Sequence, residues 1–408
     1  MLSSTRHVLQ YLILLSSSSQ LACGTATPDL GWKAGWKPAS SSLSDALASN
    51  GLTNLLNADK THWSPDCSIE TAVKRKEWTS LKPGDRKAYT DAVVCLINKP
   101  SLISQSAMAS SAPGVKSRYD DFTAIHINTT MTVHATANFL VWHRYFLLAF
   151  ETALRDECGY KDYLPYWNWA ITALDPINSP VYDGSEFSMG GNGVYEEHNC
   201  TNGLFSTTEP PLGCIPAGEG GGCVETGPFK NYTVNLSPMR PSYPDPALNG
   251  SLPALSYLPR CLRRDVSPWI SSNYTRDIDI ANLITENPDV WWFQTIFQGN
   301  GFPGGNYGVH AGGHFTGGGD PGGDFFTSPG EPVFWLHHAM VDRTWWIWQN
   351  QDIAKRQYAF EGTITFNDSP PSRNGTLDDW LDIGILGEQL KTRDIMNTVG
   401  NGLCYLYV

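Results

Sequence analysis

The chain has 408 residues, 41% of them apolar and 12% aromatic, with only 17% charged and a net charge of −12. That is ample material for a buried core and too little charge for a disordered acidic chain. The charge excess is acidic and no basic run interrupts it, which counts against a surface built for nucleic acid.

In chain order, Arg6 and His7 precede a short apolar run, Val8 to Leu15, and a small polar exit, Ser16 to Gly24. This predicts a signal peptide over 1–24, with cleavage between Ala22 and Thr27; a buried N-terminal helix is the competing reading. The run is too short to span a bilayer, and no later stretch is long and apolar enough, so no membrane association is expected after cleavage. Residues 28–60 read as a polar, Ser-rich entry with a short amphipathic stretch at Leu43, Leu52, Leu55 and Leu56. A helix is predicted over Lys82 to Ile97, where Tyr89, Val93, Val94 and Ile97 recur at helical spacing behind Pro83 and Asp85. Another is predicted over Asn138 to Cys158, with Phe139, His143, Phe146, Phe150 and Leu154 on one face.

From Pro176 to about Ser267 the chain is rich in Gly, Pro, Ser and Cys, and reads as a disulfide-tied surface excursion. Asp279 to Phe297 is expected to be helical. Residues 299–330 hold 13 glycines in 32 positions. Glu331 to Asn350 is expected as a helix, with Pro332 in the first turn that proline favours. Gly299 to Gly304 matches GxGxxG as letters but has no strand before it or helix after it, so no nucleotide site follows.

Nine cysteines occur. If Cys23 leaves with the leader, Cys67, Cys95, Cys158, Cys200, Cys214, Cys223, Cys261 and Cys404 remain, and an even set without CxxC suits disulfides in an oxidising compartment. By position, Cys67–Cys404 ties the chain ends and Cys95–Cys158 staples two helices. Candidate glycosylation sequons start at Asn128, Asn199, Asn231, Asn235, Asn249, Asn273, Asn367 and Asn374, which fits a secreted, extracellular protein.

Ten histidines occur, and seven fall in two clusters. His126, His134 and His143 form the first; His310, His314, His337 and His338 form the second. A single histidine is more often packed or superficial than a ligand, but seven clustered imidazoles are not explained that way. His310 and His314 share one face if helical, as a common metal would require, even though the glycines between them disfavour a helix. Few carboxylates lie beside the clusters and HExxH is absent, which counts against a hydrolytic zinc site. Six neutral imidazoles suit two copper ions cycling between Cu(I) and Cu(II).

At these residues the sequence resembles the type-3 dicopper family of tyrosinases, catechol oxidases and hemocyanins, most of all a short secreted fungal catechol oxidase. His134-Ala-Thr-Ala-Asn-Phe-Leu-Val-Trp-His143-Arg-Tyr-Phe-Leu resembles the copper A signature. Glu331-Pro-Val-Phe-Trp-Leu-His337-His338-Ala-Met-Val-Asp342-Arg resembles the copper B signature. Leu164-Pro-Tyr-Trp-Asn168-Trp is similar to the family's LPYWDW, and Tyr405-Leu-Tyr407 to its closing Y-x-Y; the resemblance runs from about residue 65 to the end.

The resemblance implies a mainly α fold, a four-helix bundle around a dinuclear copper site with long loops and little β-structure. It makes 25–408 one copper domain without the C-terminal shielding domain of many relatives. Carried over, His126, His134 and His143 hold copper A and His310, His314 and His338 hold copper B, with His337 a neighbour. Phe334 packs against an imidazole; Asp342 and Arg343 orient ligands or neighbouring helices, or form a structural ion pair. Phe325 and Phe326 gate the substrate or fill the core.

Two departures bear on activity. Thr132 stands where some fungal relatives carry a thioether-forming Cys. Ala311 stands where many tyrosinases carry an Asn that helps deprotonate a monophenol, which favours oxidation of o-diphenols to o-quinones over monophenol hydroxylation. Small phenols and dioxygen are the implied partners; the oligomeric state stays open, a dimer included. Tyrosinase activity, o-aminophenol oxidation and a hemocyanin-like oxygen carrier remain as alternatives.

Overall fold

The computed structural model describes residues 29–200, 215–239, 252–299 and 306–408. The signal peptide over 1–24, Cys214 and Asn249 lie outside the described residues. Among the described residues the fold is mainly helical with four two-stranded β-pairs, as the sequence led us to expect.

The helices that build the centre are α1 (Ser42–Asn57), α2 (Pro83–Asn98), α3 (Arg118–Val133), α4 (Phe139–Cys158), the short α5 (Trp169–Thr172), α6 (Pro268–Tyr274), α7 (Asp277–Glu286), α8 (Val290–Gln298), α9 (Gly308–Gly317) and α10 (Val333–Gln351). α10 is buried along nearly its whole length, from Val333 to Asn350, so no face of it meets water. Its Trp335, Trp345, Trp346 and Trp348 are all buried, and α1, α4, α7 and α9 pack around it. Trp335 stacks on Phe150 of α4 with ring centroids 3.6 Å apart. α4 also packs on α2 and α3.

Two sequence expectations change, and one helix, α3, was not anticipated. α3 gave no clear apolar period, because Asp120, Asp121, Thr123, His126 and Thr130 interrupt its buried face. A capping box starts it: Ser117 Oγ accepts from the Asp120 N–H at 3.0 Å, and the Asp120 carboxylate accepts from the Ser117 N–H at 2.9 Å. The helix expected over Asp279 to Phe297 is two helices, α7 and α8. Pro288 cannot donate into a continuing helix, and Asp289 starts α8 by accepting from the Trp291 and Trp292 N–H groups at 2.8 and 3.2 Å.

The stretch from 176 to 267 is more than a surface excursion. Val181, Tyr182, Met189, Phe229 and Tyr232 enter the main core. Arg264 is fully buried and forks onto Glu331, just before α10, at 3.0 and 2.5 Å. Cys223–Cys261 joins the strand Gly221–Val224 to the strand Tyr257–Cys261, and Cys200 is also disulfide-bonded.

The chain ends meet as their cysteine positions suggested. Cys67–Cys404 is a disulfide beside the parallel strand pair Val73–Arg75 and Tyr405–Tyr407, and Cys95–Cys158 links α2 to α4. Asn128, Asn199, Asn231, Asn273, Asn367 and Asn374 are exposed. Asn235 is half-buried and its amide donates to Asp120 at 2.9 Å, which makes it a poor glycan acceptor.

Candidate metal centre

Four helices bring seven imidazoles together. His126 lies inside α3, His134 at the residue that ends it, His143 in α4, His310 and His314 in α9, and His337 and His338 in α10. Among the described residues, the ligand atoms of His126, His134 and His143 lie within 4.8 Å of one another, and so do those of His310, His314, His337 and His338. Neither group contains a carboxylate or a cysteine. The His143 and His338 rings stack at 4.6 Å, so the two groups meet face to face.

Backbone carbonyls set the tautomers of the first group. Nδ1 of His126 lies 2.8 Å from the Phe326 carbonyl, Nδ1 of His134 3.0 Å from that of Thr130, and Nδ1 of His143 2.7 Å from that of Phe139. A carbonyl only accepts, so each Nδ1 carries the proton and each Nε2 presents a lone pair. Nε2 of His126 and of His143 is buried without a protein partner. In the second group, His314 bonds to the backbone of Gly322, and its Nε2 lies 3.2 Å from Nε2 of His310 and 3.1 Å from Nε2 of His338. Converging imidazole nitrogens without a carboxylate among them match the demand of a soft-to-borderline metal ion.

Burial keeps these rings neutral. It lowers His126 to about 4 and His314 to about 3, and it lowers His134, His143, His310, His337 and His338 too, with neighbouring imidazoles adding to the effect. No proton need be displaced before a metal binds at neutral pH.

His337 differs from His338. Its ring lies against Trp169 (5.2 Å) and His314 (4.3 Å), and both its nitrogens lack partners. A Cβ on Gly313 would meet that ring at 2.3 Å, so the glycine in α9 that looked costly is what lets the helix lie against His337. His338 stands between the groups, stacked on His143 and backed by Phe334 at 4.1 Å. Phe334 also touches His126 and His314, at 5.7 and 5.8 Å, and so wedges both groups from behind.

Asp342 touches no histidine. It accepts from Arg144 Nε (2.6 Å), Tyr405 (2.7 Å) and Tyr407 (2.6 Å), and lies 3.5 Å from Arg75. Arg343 pairs with Asp45 of α1 at 2.9 Å, not with Asp342. Both residues tie helices together.

Phe325 covers the centre. Its ring is 4.7 Å from that of His134, and it closes a cavity of about 20 Å³ lined also by His134, His310, His314, Phe315, Asp324 and Ser328. That is room for about one water. Phe326 is not part of this cover: its ring packs with Val115, Ala124, Ile127 and Leu236, and only its carbonyl serves the site. Ala311 is buried among Ile215, Ile270, Tyr307 and Phe315 and does not line the cavity. Thr132 is exposed. Sequence reasoning did not find the carbonyls of Phe326, Thr130 and Gly322, because a backbone acceptor leaves no mark on residue type; the capping box at Ser117 was the available signal for α3.

Comparison with known proteins agrees with this geometry. The family described as the common central domain of tyrosinase matches residues 116–351. "Tyrosinase P" of Aspergillus terreus is 40% identical over 338 residues, covering 82% of this chain and 91% of that protein. An N-acetyl-6-hydroxytryptophan oxidase of Emericella nidulans is 36% identical, covering 84% of this chain and 93% of that one. The solved structure of a point mutant of a polyphenol oxidase from Thermothelomyces thermophila matches with a TM-score of 0.78 at 38% identity, over 91% of this chain and 98% of that one. The family match spans more than half of the chain and includes all seven imidazoles; this protein therefore belongs to the tyrosinase family, and its cofactor is a pair of type-3 copper ions.

Proposed function

We propose that this oxidoreductase is a secreted catechol oxidase, which converts two o-diphenols to two o-quinones as one dioxygen becomes two waters. His126, His134 and His143 hold copper A, and His310, His314 and His338 hold copper B. The observation that carries the reading is the pair of neutral imidazole triads with no carboxylate among them, the tautomers of the first fixed by backbone carbonyls. Such a site favours an ion that changes charge without a counter-ion, and the copper pair supplies the electron transfer to dioxygen when bound. His337 is a neighbour of copper B; its packing on Trp169 and Gly313 supports that choice over a fourth ligand.

The protein's part is orientation and exclusion of water. Phe325 is the gate, since the cavity beneath it admits no phenol until that side chain moves. Asp324, at the mouth, is engaged by the N–H groups of Phe326, Thr327 and Met239 and is not offered as a base for a monophenol proton. This, with Ala311 turned into an apolar cluster, supports diphenol oxidation over monophenol hydroxylation. Secretion is supported by the leader-like segment 1–24 and by the disulfides Cys67–Cys404, Cys95–Cys158 and Cys223–Cys261. No helix among the described residues is long and apolar enough to cross a membrane.

The test is oxygen uptake by copper-loaded protein with catechol, o-aminophenol and tyramine, copper content measured alongside. Two coppers per chain, fast catechol turnover and negligible tyramine turnover are expected. Comparable turnover of tyramine makes it a tyrosinase; preference for o-aminophenol shifts the substrate class; reversible oxygen binding without turnover makes it a carrier.

A further inference from the structure

The turn that carries His134 is held in a conformation its residues do not favour. α3 ends at Val133 and α4 begins at Phe139, so the chain reverses in five residues and must still aim the His134 ring at His126 and His143, 5.2 and 4.9 Å away. The residue that makes this possible is Ala135, whose φ of +48° lies in the left-handed region that side chains with a Cβ rarely adopt. A strained residue of this kind persists only where its surroundings over-determine it.

The surroundings are specific. The Ala135 N–H donates to the side-chain carbonyl of Gln298 at 2.8 Å, 163 residues away in sequence. The Ala135 carbonyl accepts from the Asn367 N–H at 3.2 Å, and the Ala137 N–H donates to the Thr363 carbonyl at 2.9 Å. Gln298 is buried, and its amide nitrogen donates to the Gln294 carbonyl one turn back at 3.1 Å, which orients its oxygen toward the turn. It is the last residue of α8, whose Phe293 and Phe297 anchor in the core. Of the three partners of the turn, only Gln298 acts through a side chain, so only there can substitution remove the bond and leave the backbone intact.

We infer that Gln298 is a positioning residue for copper A: its side-chain oxygen holds the left-handed turn at Ala135 that points His134 at the metal. The inference rests on His134 being a copper A ligand. The residue touches neither metal ligand nor substrate; it acts through the turn.

The test uses the full chain with Gln298→Leu, which removes the acceptor, Gln298→Glu, which keeps an oxygen there, Ala135→Gly, which frees the turn from its left-handed penalty, and the double variant Q298L/A135G. Copper content is followed against a graded copper chelator, and the thermal midpoint is read on metal-free protein. Q298L is expected to lose one of its two coppers at about 10- to 100-fold lower chelator concentration, the usual cost of losing a group that orients a ligand. The double variant should hold copper nearly as the parent does, and Q298E, which keeps an acceptor but loses the amide that orients it, should lie between Q298L and the parent. The inference falls if Q298L retains both coppers, or if its loss is not restored in Q298L/A135G. The double variant keeps the question decidable should Q298L alone not fold. His134→Ala is the separate control: if it keeps both coppers, the ligand assignment itself is wrong, whatever Gln298 does.

Discussion

Replacing Asp342 by Asn separates a helix-tying role from a copper-orienting one. The carboxylate is buried, and it accepts from Arg144, Tyr405 and Tyr407 while facing Arg75. Burial alone raises its pKa, but Arg144, then Arg75 and the two tyrosine hydroxyls, outweigh burial and hold the group below the ordinary carboxylate value. The Asn variant leaves the buried Arg144 guanidinium short of its counter-ion, while Arg75 keeps Glu151 at 3.1 Å. Breaking a buried pair from one side costs about 3–5 kcal/mol. Unfolding entropy of about 2 cal/mol/K per residue, over the roughly 380 residues that follow the leader-like segment, comes to about 0.8 kcal/mol/K, so the midpoint should fall by about 4–6 °C. The assay is differential scanning calorimetry of metal-free protein, since bound copper adds its own stabilisation. Copper content should stay at two per chain, because no contact joins Asp342 to an imidazole. A midpoint within about 1 °C of the parent, or loss of copper without a fall in midpoint, would refute the reasoning.

Three other outcomes are expected. Metal-free protein should lose stability as pH falls from 6.5 toward 4: the buried His126, lowered to about 4, refuses a proton that the unfolded chain accepts near 6.5, a difference of about 3 kcal/mol that is fully present above 6.5. A flat midpoint across that range, read by near-UV circular dichroism, would contradict it. Phe325→Ala should raise kcat/KM for a bulky diphenol relative to catechol by about 10-fold, as expected for a changed pocket contact, and an unchanged ratio in oxygen-electrode assays removes Phe325 as the gate. Ala311→Asn should cost about 1–3 kcal/mol by burying an amide among Ile215, Ile270, Tyr307 and Phe315, without raising the ratio of tyramine to catechol turnover; a rise in that ratio would show that the side chain reaches the cavity.

The site also explains why the polar excursion from 176 to 267 is folded into the core. Arg264 from that stretch grips Glu331, and Met239 donates to Asp324. Gly322, which bonds His314, lies just before Asp324, and Phe326, whose carbonyl holds His126, just beyond it. The loop from Gly322 to Glu331 thus serves both histidine groups, and its anchors come from a segment that composition alone had placed on the surface.

Residue type and spacing alone were enough to place the central helices, two disulfides and the histidine clusters. Helical spacing placed α4 and α10, the cysteine positions anticipated Cys67–Cys404 and Cys95–Cys158, and the long copper signatures marked His143 and His338. These are local or pairwise properties, carried by residue type and interval. Tertiary structure decided everything that depends on direction. It split one expected helix at Pro288, turned Phe326 and Ala311 away from the cavity, and sent Asp342 to two arginines and two tyrosines. It also supplied the carbonyls that fix each tautomer of the first triad. A backbone acceptor is the same group at every residue, so only the folded path shows which carbonyl lies 2.8 Å from an imidazole.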